Sequence, residues 1–186
     1  AGFESEVCSE ISELAARLDV AGYAKAKANS ACAEFICSDA QGAQQLMRGQ
    51  RFGKLIFPRQ WARGSFIELP ETDRISVLLA HLASYPVCGS LWLEVLDTND
   101  GKELSNFCKK FEAPLRKALL KAGKLLDDPS KPRLLLTFKS GREVFVGLAE
   151  ANNCAMWPMG IPRLRFPREA PSRSTLKLEE AWHHFI

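Results

Sequence analysis

Gly22-Tyr23-Ala24-Lys25-Ala26-Lys27-Ala28-Asn29-Ser30-Ala31-Cys32-Ala33-Glu34-Phe35-Ile36-Cys37-Ser38 decides how the front of the chain folds. Gly22–Ala28 and Ala31–Ser38 flank Asn29-Ser30, residues suited to a tight turn, so the stretch predicts a β-hairpin. Upstream, Phe3, Val7, Ile11, Leu14 and Leu18 fall at helical spacing among Glu4, Glu6, Glu10 and Glu13. That pattern predicts an amphipathic helix ending near Asp19. Downstream, Ala40–Arg48 returns to helix, and Leu55-Ile56-Phe57 and Trp61 to Leu69 read as extended. The order helix, strand, strand, helix, strand is that of a βαββαβ ferredoxin-like unit without its first strand. A first strand in that topology is central to the sheet.

Pro70 marks the end of this unit. Ile75, Leu78, Leu79 and Leu82 then share one face of a helix that stops before Pro86. Ser90–Leu96 alternates Leu91, Leu93 and Val95 with Trp92, Glu94 and Leu96, which is strand periodicity. Trp92 is expected in the core. Leu104, Phe107, Phe111, Leu115 and Leu119 repeat as a helix would, but Pro114 interrupts them. Proline is tolerated in a first turn and not mid-helix. The reading is therefore two helices, Lys102–Phe111 and Pro114–Ala122, stopped by Gly123. Arg133–Phe138 and Glu143–Ala149 form a hairpin around Ser140-Gly141. The fold class is α+β.

The 186 residues carry 25 Lys+Arg against 22 Asp+Glu, a net charge of +3. Distribution matters more than that total. Acids gather early, at Glu4 to Glu13; bases gather in Lys109–Lys124 and in Arg163–Lys177. No apolar run reaches the roughly 20 residues that cross a bilayer. The N-terminus has neither the basic nor the apolar region of a signal peptide. The six cysteines form no C-x-x-C pair, and the three histidines do not stand at zinc-ligand spacing to them. Free buried thiols in a reducing cytoplasm, with no metal and no membrane, are the expectation.

The richest motif lies near the end: Pro171-Ser172-Arg173-Ser174-Thr175-Leu176-Lys177-Leu178-Glu179-Glu180-Ala181-Trp182. Ser172 or Ser174 is a natural N-cap for a helix whose Leu178, Ala181, Trp182 and Phe185 form an apolar face. The segment resembles the opening of the catalytic domain in ribose 2′-O-methyltransferases of the FtsJ/RrmJ type. Their S-R-S/A-x-x-K-L-x-E run supplies the first lysine of a Lys-Asp-Lys-Glu set. With Met159-Gly160-Ile161-Pro162-Arg163-Leu164-Arg165-Phe166-Pro167 included, the likeness is to the RlmM-type branch, which methylates a cytidine of bacterial 23S rRNA. The resemblance implies a ferredoxin-like subdomain over residues 1–70, a THUMP-like RNA-binding domain over 71–150, and a linker with the first methyltransferase helix over 151–186. The Rossmann-like remainder would lie beyond Ile186. Ala1-Gly2-Phe3-Glu4 would be the remains of a turn after a lost first strand.

The same resemblance assigns Lys177 to catalysis, where a lysine orients a ribose 2′-hydroxyl or relieves it of its proton. Read by itself, Lys177 is a solvated helix residue paired with Glu180; the surrounding run is what assigns it to catalysis. Arg163, Arg165, Arg168 and Arg173 suit phosphate contacts, or else pair with carboxylates of their own protein. Lys109, Lys110, Arg116 and Lys117 suit RNA, or else form the solvated face of a helix. Lys54, Arg59 and Arg63 add bases elsewhere, and Trp61 and Trp157 could stack on bases. Adjacent on a helix, His183 and His184 read as surface or packing residues. No glycine-rich loop follows a strand, so S-adenosylmethionine is expected to bind the absent C-terminal domain. The implied whole is an S-adenosylmethionine-dependent 23S rRNA cytidine 2′-O-methyltransferase, of which this chain is the RNA-binding part and by itself inactive. The alternatives are a stand-alone THUMP-type RNA-binding adaptor and a protein-interaction module that uses the Trp182 face.

Overall fold

Two sheets of unequal size organise the chain. The protein, a computed structural model, is described over residues 2–166, 169, 172 and 174–185. The first sheet is the expected hairpin, β1 (Gly22–Ala26) antiparallel to β2 (Ala33–Cys37), with Gly22 opposite Cys37 and Ala26 opposite Ala33. Helices α1 (Glu4–Arg17) and α2 (Gly42–Gly49) cover it. Glu4 and Glu6 in the first turn of α1 and Arg17 in its last complement the helix dipole. The buried Glu4 carboxylate accepts from the N–H of Gly2 and, at 2.8 Å, of Ala31, which ties the hairpin turn to the start of the helix.

The second sheet has the order β3-β6-β5-β4. Strand β3 (Arg63–Glu68) is antiparallel to β6 (Glu143–Ala149). In turn β6 is antiparallel to β5 (Arg133–Phe138), which runs parallel to β4 (Ser90–Val95). Helices α3 (Arg74–His81) and α4 (Asn99–Lys121) pack on one face. Leu78, Leu91, Leu115, Leu119, Leu134, Leu136, Phe138, Val144 and Val146 meet there and are at most 1% exposed. The final helix is α5 (Ser174–Phe185).

Several expectations are corrected. The strand at the end of the first unit forms, but it belongs to the second sheet. Ile67 lies opposite Val144, Ser65 opposite Val146 and Phe66 opposite Phe145, and these cross-strand pairs decide its partner. Leu55-Ile56-Phe57 is no strand; the Glu10 carboxylate accepts from Ile56 and Phe57 N–H at 2.7 and 3.1 Å and holds it as a loop. The two helices expected around Pro114 are one, α4. Pro114 is on the solvent side while Cys108, Leu115 and Leu119 are buried on both sides of it. That burial outweighs the roughly 3 kcal/mol an interior proline costs. Trp92 is not in the leucine core. It lies half-buried on the opposite sheet face, beneath the Arg133 guanidinium 3.3 Å from the ring centre.

Candidate nucleic-acid interface

Helix α4 starts from a true cap: the Thr98 hydroxyl accepts from Gly101 N–H at 3.1 Å. Its buried face fixes which lysines point outward. Lys109, Lys110 and Lys117 are exposed and, among the described residues, without a carboxylate partner. Lys110 and Lys117 are two turns apart, about 10 Å along one side of the helix. Lys121, one turn on, is also exposed.

Arg116 does not belong to this group. Its Nη2 donates to the Leu91 carbonyl and to Glu112, both at 3.3 Å, so it clasps the free edge of β4. Lys124 likewise donates to the carbonyls of Ala83 and Tyr85, at 2.7 and 2.9 Å. Arg63 pairs with Glu150 at 3.7 Å. Each of these bases serves the fold. Arg163 and Arg165 are exposed on the segment after β6 and pair with nothing among the described residues. Arg168 and Arg173 lie outside the described residues.

The segment after β6 is interlocked with the first unit. Asn153 Oδ1 accepts from Phe52 N–H at 2.6 Å, and its Nδ2 donates to the carbonyls of Met47 and Gln50 at 2.7 and 2.8 Å. The Asn153 carbonyl accepts from the Trp61 indole at 2.5 Å, and Ala155 N–H donates to the Gln60 side chain. Met159 N–H donates at 2.6 Å to Glu94, a carboxylate only 6% exposed on the outer face of β4. Burial pushes the Glu94 carboxyl above its usual range, against the pull of Met159 N–H and Arg133. Trp61 and Trp92 are thus committed to internal contacts, and Trp157 meets His183 edge-on at 6.1 Å.

Helix α5 leaves this segment with the Ser172 hydroxyl accepting from Ser174 N–H. Lys177 is exposed, and its anticipated pairing with Glu180 is not formed: Glu180 turns to Arg59, at 3.9 Å. Leu178 and Trp182 are 74% and 62% exposed. The acidic side of the molecule is elsewhere. An open groove of about 770 Å³ between α1 and the Gln50–Phe57 stretch is lined by Glu6, Glu10 and Glu13 with Arg17 and Lys54. Among the described residues no three His, Cys, Asp or Glu cluster as a metal requires, and no helix is long and apolar enough to cross a membrane.

Known proteins place this arrangement. A family model described as the RlmM ferredoxin-like domain matches residues 1–62, so the α1–β1–β2–α2 unit is of the ferredoxin-like class. A second, Ribosomal RNA large subunit methyltransferase M, N-terminal, matches residues 73–150. Proteins named ribosomal RNA large subunit methyltransferase M are 83% identical to this chain in Pseudomonas syringae pv. syringae, 82% in Pseudomonas fluorescens SBW25 and 80% in Ectopseudomonas mendocina, each match spanning all of the chain. The chain belongs to the ribosomal RNA large subunit methyltransferase M family. It spans about half the length of these relatives, 52% of the first two and 53% of the third. The crystal structure of TrmN from Thermus thermophilus matches with a TM-score of 0.42 and 18% identity, over 79% of this chain and 42% of that one.

Proposed function

We propose that this chain is the RNA-docking part of an S-adenosylmethionine-dependent 23S rRNA cytidine 2′-O-methyltransferase of the cytoplasm, its second unit THUMP-like. The observation that carries the reading is identity above 80% along the whole chain to relatives named for rRNA methylation. The stand-alone adaptor is not favoured by it. Phosphates would be held by Lys109, Lys110, Lys117, Arg163 and Arg165, whose charges no carboxylate among the described residues neutralises. Arg116 drops out of this set, being bound to Leu91 and Glu112. The Glu-lined groove beside α1 would face away from RNA.

Lys177 would serve at the ribose. In the first turns of α5, exposed and unpaired, it can approach a 2′-hydroxyl and accept its proton or fix its oxygen by a hydrogen bond. Unprotonated lysine is scarce at neutral pH, so proton acceptance needs neighbouring cations or burial to lower its pKa.

S-adenosylmethionine would bind in the part of the relatives that this chain does not span. In the turn before α2, Asp39 Oδ1 already takes the N–H groups of Gln41 and Gly42. Before α4, Gly101 is wedged against the Leu96 carbonyl and its N–H is held by Thr98. The amides of Gln41, Gly42 and Gly101 are thus already engaged within the chain.

The test is RNA binding by the 186-residue chain, to a 23S rRNA hairpin and to an unrelated duplex, at two salt concentrations. If all five cations reach phosphate, log K should fall against log salt with a slope of about −4. Methyl transfer by the full-length protein, abolished in Lys177→Ala and absent from the 186-residue chain, completes it. Transfer by the 186-residue chain alone would refute the division of labour.

A further inference from the structure

Among the described residues, helix α5 meets the rest of the chain on the face that carries Leu176, Glu180 and His183. Glu180 meets Arg59 and His183 meets Trp157, one turn apart on the helix. Leu178 and Trp182 are exposed and point away from these contacts. A helix docked through its apolar stripe is anchored by burial. This one meets its surroundings through the Glu180 and His183 contacts with Leu176 half-buried on the same face, while Lys177, beside Glu180 on the helix, is exposed.

Both anchors stand on rigid ground. Gly160 has φ +60°, and a Cβ there would collide with the Arg59 carbonyl oxygen, so the Arg59 backbone is wedged against the segment leading to α5. Next to it, the Gln60 side chain accepts from Ala155 N–H, and Trp61 donates to the Asn153 carbonyl. On the other side Met159 N–H is fixed by Glu94 of β4. Arg59 and Trp157 therefore project from the junction of the two units, where the ferredoxin-like unit, the sheet and the following segment are locked together.

We propose that Arg59 and Trp157 are positioning residues for the reaction: they set the orientation of the helix that carries Lys177 relative to the RNA-docking surface. This rests on Lys177 acting at the ribose, as proposed above. The Arg59–Glu180 pair is exposed, its side chains 62% and 38% accessible, and such pairs add little to stability. Its effect is on geometry, and a reacting group displaced by about 1 Å loses up to about a hundredfold in rate.

The experiment uses the full-length protein with Arg59→Glu, Glu180→Arg, the double exchange and Trp157→Leu, with methyl transfer to 23S rRNA, RNA affinity and melting temperature measured for each. Arg59→Glu and Glu180→Arg are each expected to lower kcat roughly tenfold, with RNA affinity and melting temperature held, and the double exchange to recover most of the loss. Trp157→Leu should lower kcat without raising KM for RNA. Single exchanges with unchanged kcat, or a double exchange no better than either single at an unchanged melting temperature, would overturn the proposal. Lys177→Ala separates the layers. If it keeps full activity, the lysine assignment falls; if it is inactive while the exchanges are silent, only the positioning role falls.

Discussion

Replacing Asn153 by alanine should loosen the ferredoxin-like unit from the second sheet. The side chain satisfies three backbone groups more than a hundred residues away: Phe52 N–H and the carbonyls of Met47 and Gln50. Truncation leaves one donor and two acceptors without partners in a half-buried site. With about 1 kcal/mol per bond net and water reaching part of the site, the loss is about 2–4 kcal/mol. At roughly 2–4 °C per kcal/mol for a chain of this size, melting should fall by roughly 5–15 °C. Hydrogen exchange should reveal the direction of the loosening. Amides of β1 and β2 should lose protection first, because the core behind them is small: Leu14, Ala15, Val20 and Leu46 are its fully buried members among the described residues. Asn153→Asp is the sharper variant. It keeps the acceptor for Phe52 but turns a carboxylate oxygen toward two carbonyls, so it should be at least as damaging at neutral pH and recover as acid restores a donor. A melting temperature within about 1 °C of wild type for Asn153→Ala would refute the idea that this side chain pins the two units.

Further predictions come from strain, burial and titration. Gly160→Ala should destabilise by about 1–3 kcal/mol, since φ is +60° and the new methyl meets the Arg59 carbonyl; chemical denaturation measures it. Burial pushes the thiols of Cys88 and Cys108 up to about 11, so both should resist a thiol reagent at pH 8 in native protein and react once it is unfolded. Glu94 has its carboxyl raised above 4.5 by burial, so the folded state holds its proton longer than the unfolded state does, and this group's contribution to stability declines as pH rises from about that value. Glu94→Gln should flatten that decline. Glu4 acts in the opposite sense: the Ala31 N–H holds its carboxyl below 4.5, so its contribution is present at neutral pH and lost as acid protonates it, a loss that Glu4→Gln should remove from an acid titration of stability.

Local signals were legible where local chemistry decided the outcome. The hairpin around Asn29-Ser30 is present, with Asn29 at φ 58° as a turn asparagine permits. The β5–β6 hairpin and the extents of α1 and α3 also follow from periodicity. Where non-local contacts compete, the sequence misleads. Periodicity identifies Trp61–Leu69 as a strand but carries nothing about which sheet receives it; Val144, Phe145 and Val146 settle that from eighty residues away. Pro114 breaks a helix by local rule, yet burial on either side keeps α4 whole. Charge was the least legible property. Arg116, Lys117 and Lys124 look alike in sequence, but Arg116 clasps a strand edge, Lys124 caps two carbonyls and only Lys117 faces solvent unpaired. Nothing in the spacing of bases reports the carbonyl that each can reach.

The contrast between the two cores explains why the interlock is built as it is. A two-stranded hairpin is marginal by itself, and two helices over it add only a small buried cluster. The second unit, with fifteen buried residues in its cluster among the described residues, has stability to lend. Asn153, Gln60 and Trp61 make that loan specific because they join backbone groups rather than side chains, so the relative placement of the units is set by directional bonds. A greasy interface of similar strength would permit sliding. Under the proposed function, with phosphate contacts on α4 and Lys177 of α5 at the ribose, directional joints at the junction would keep the separation of the two fixed.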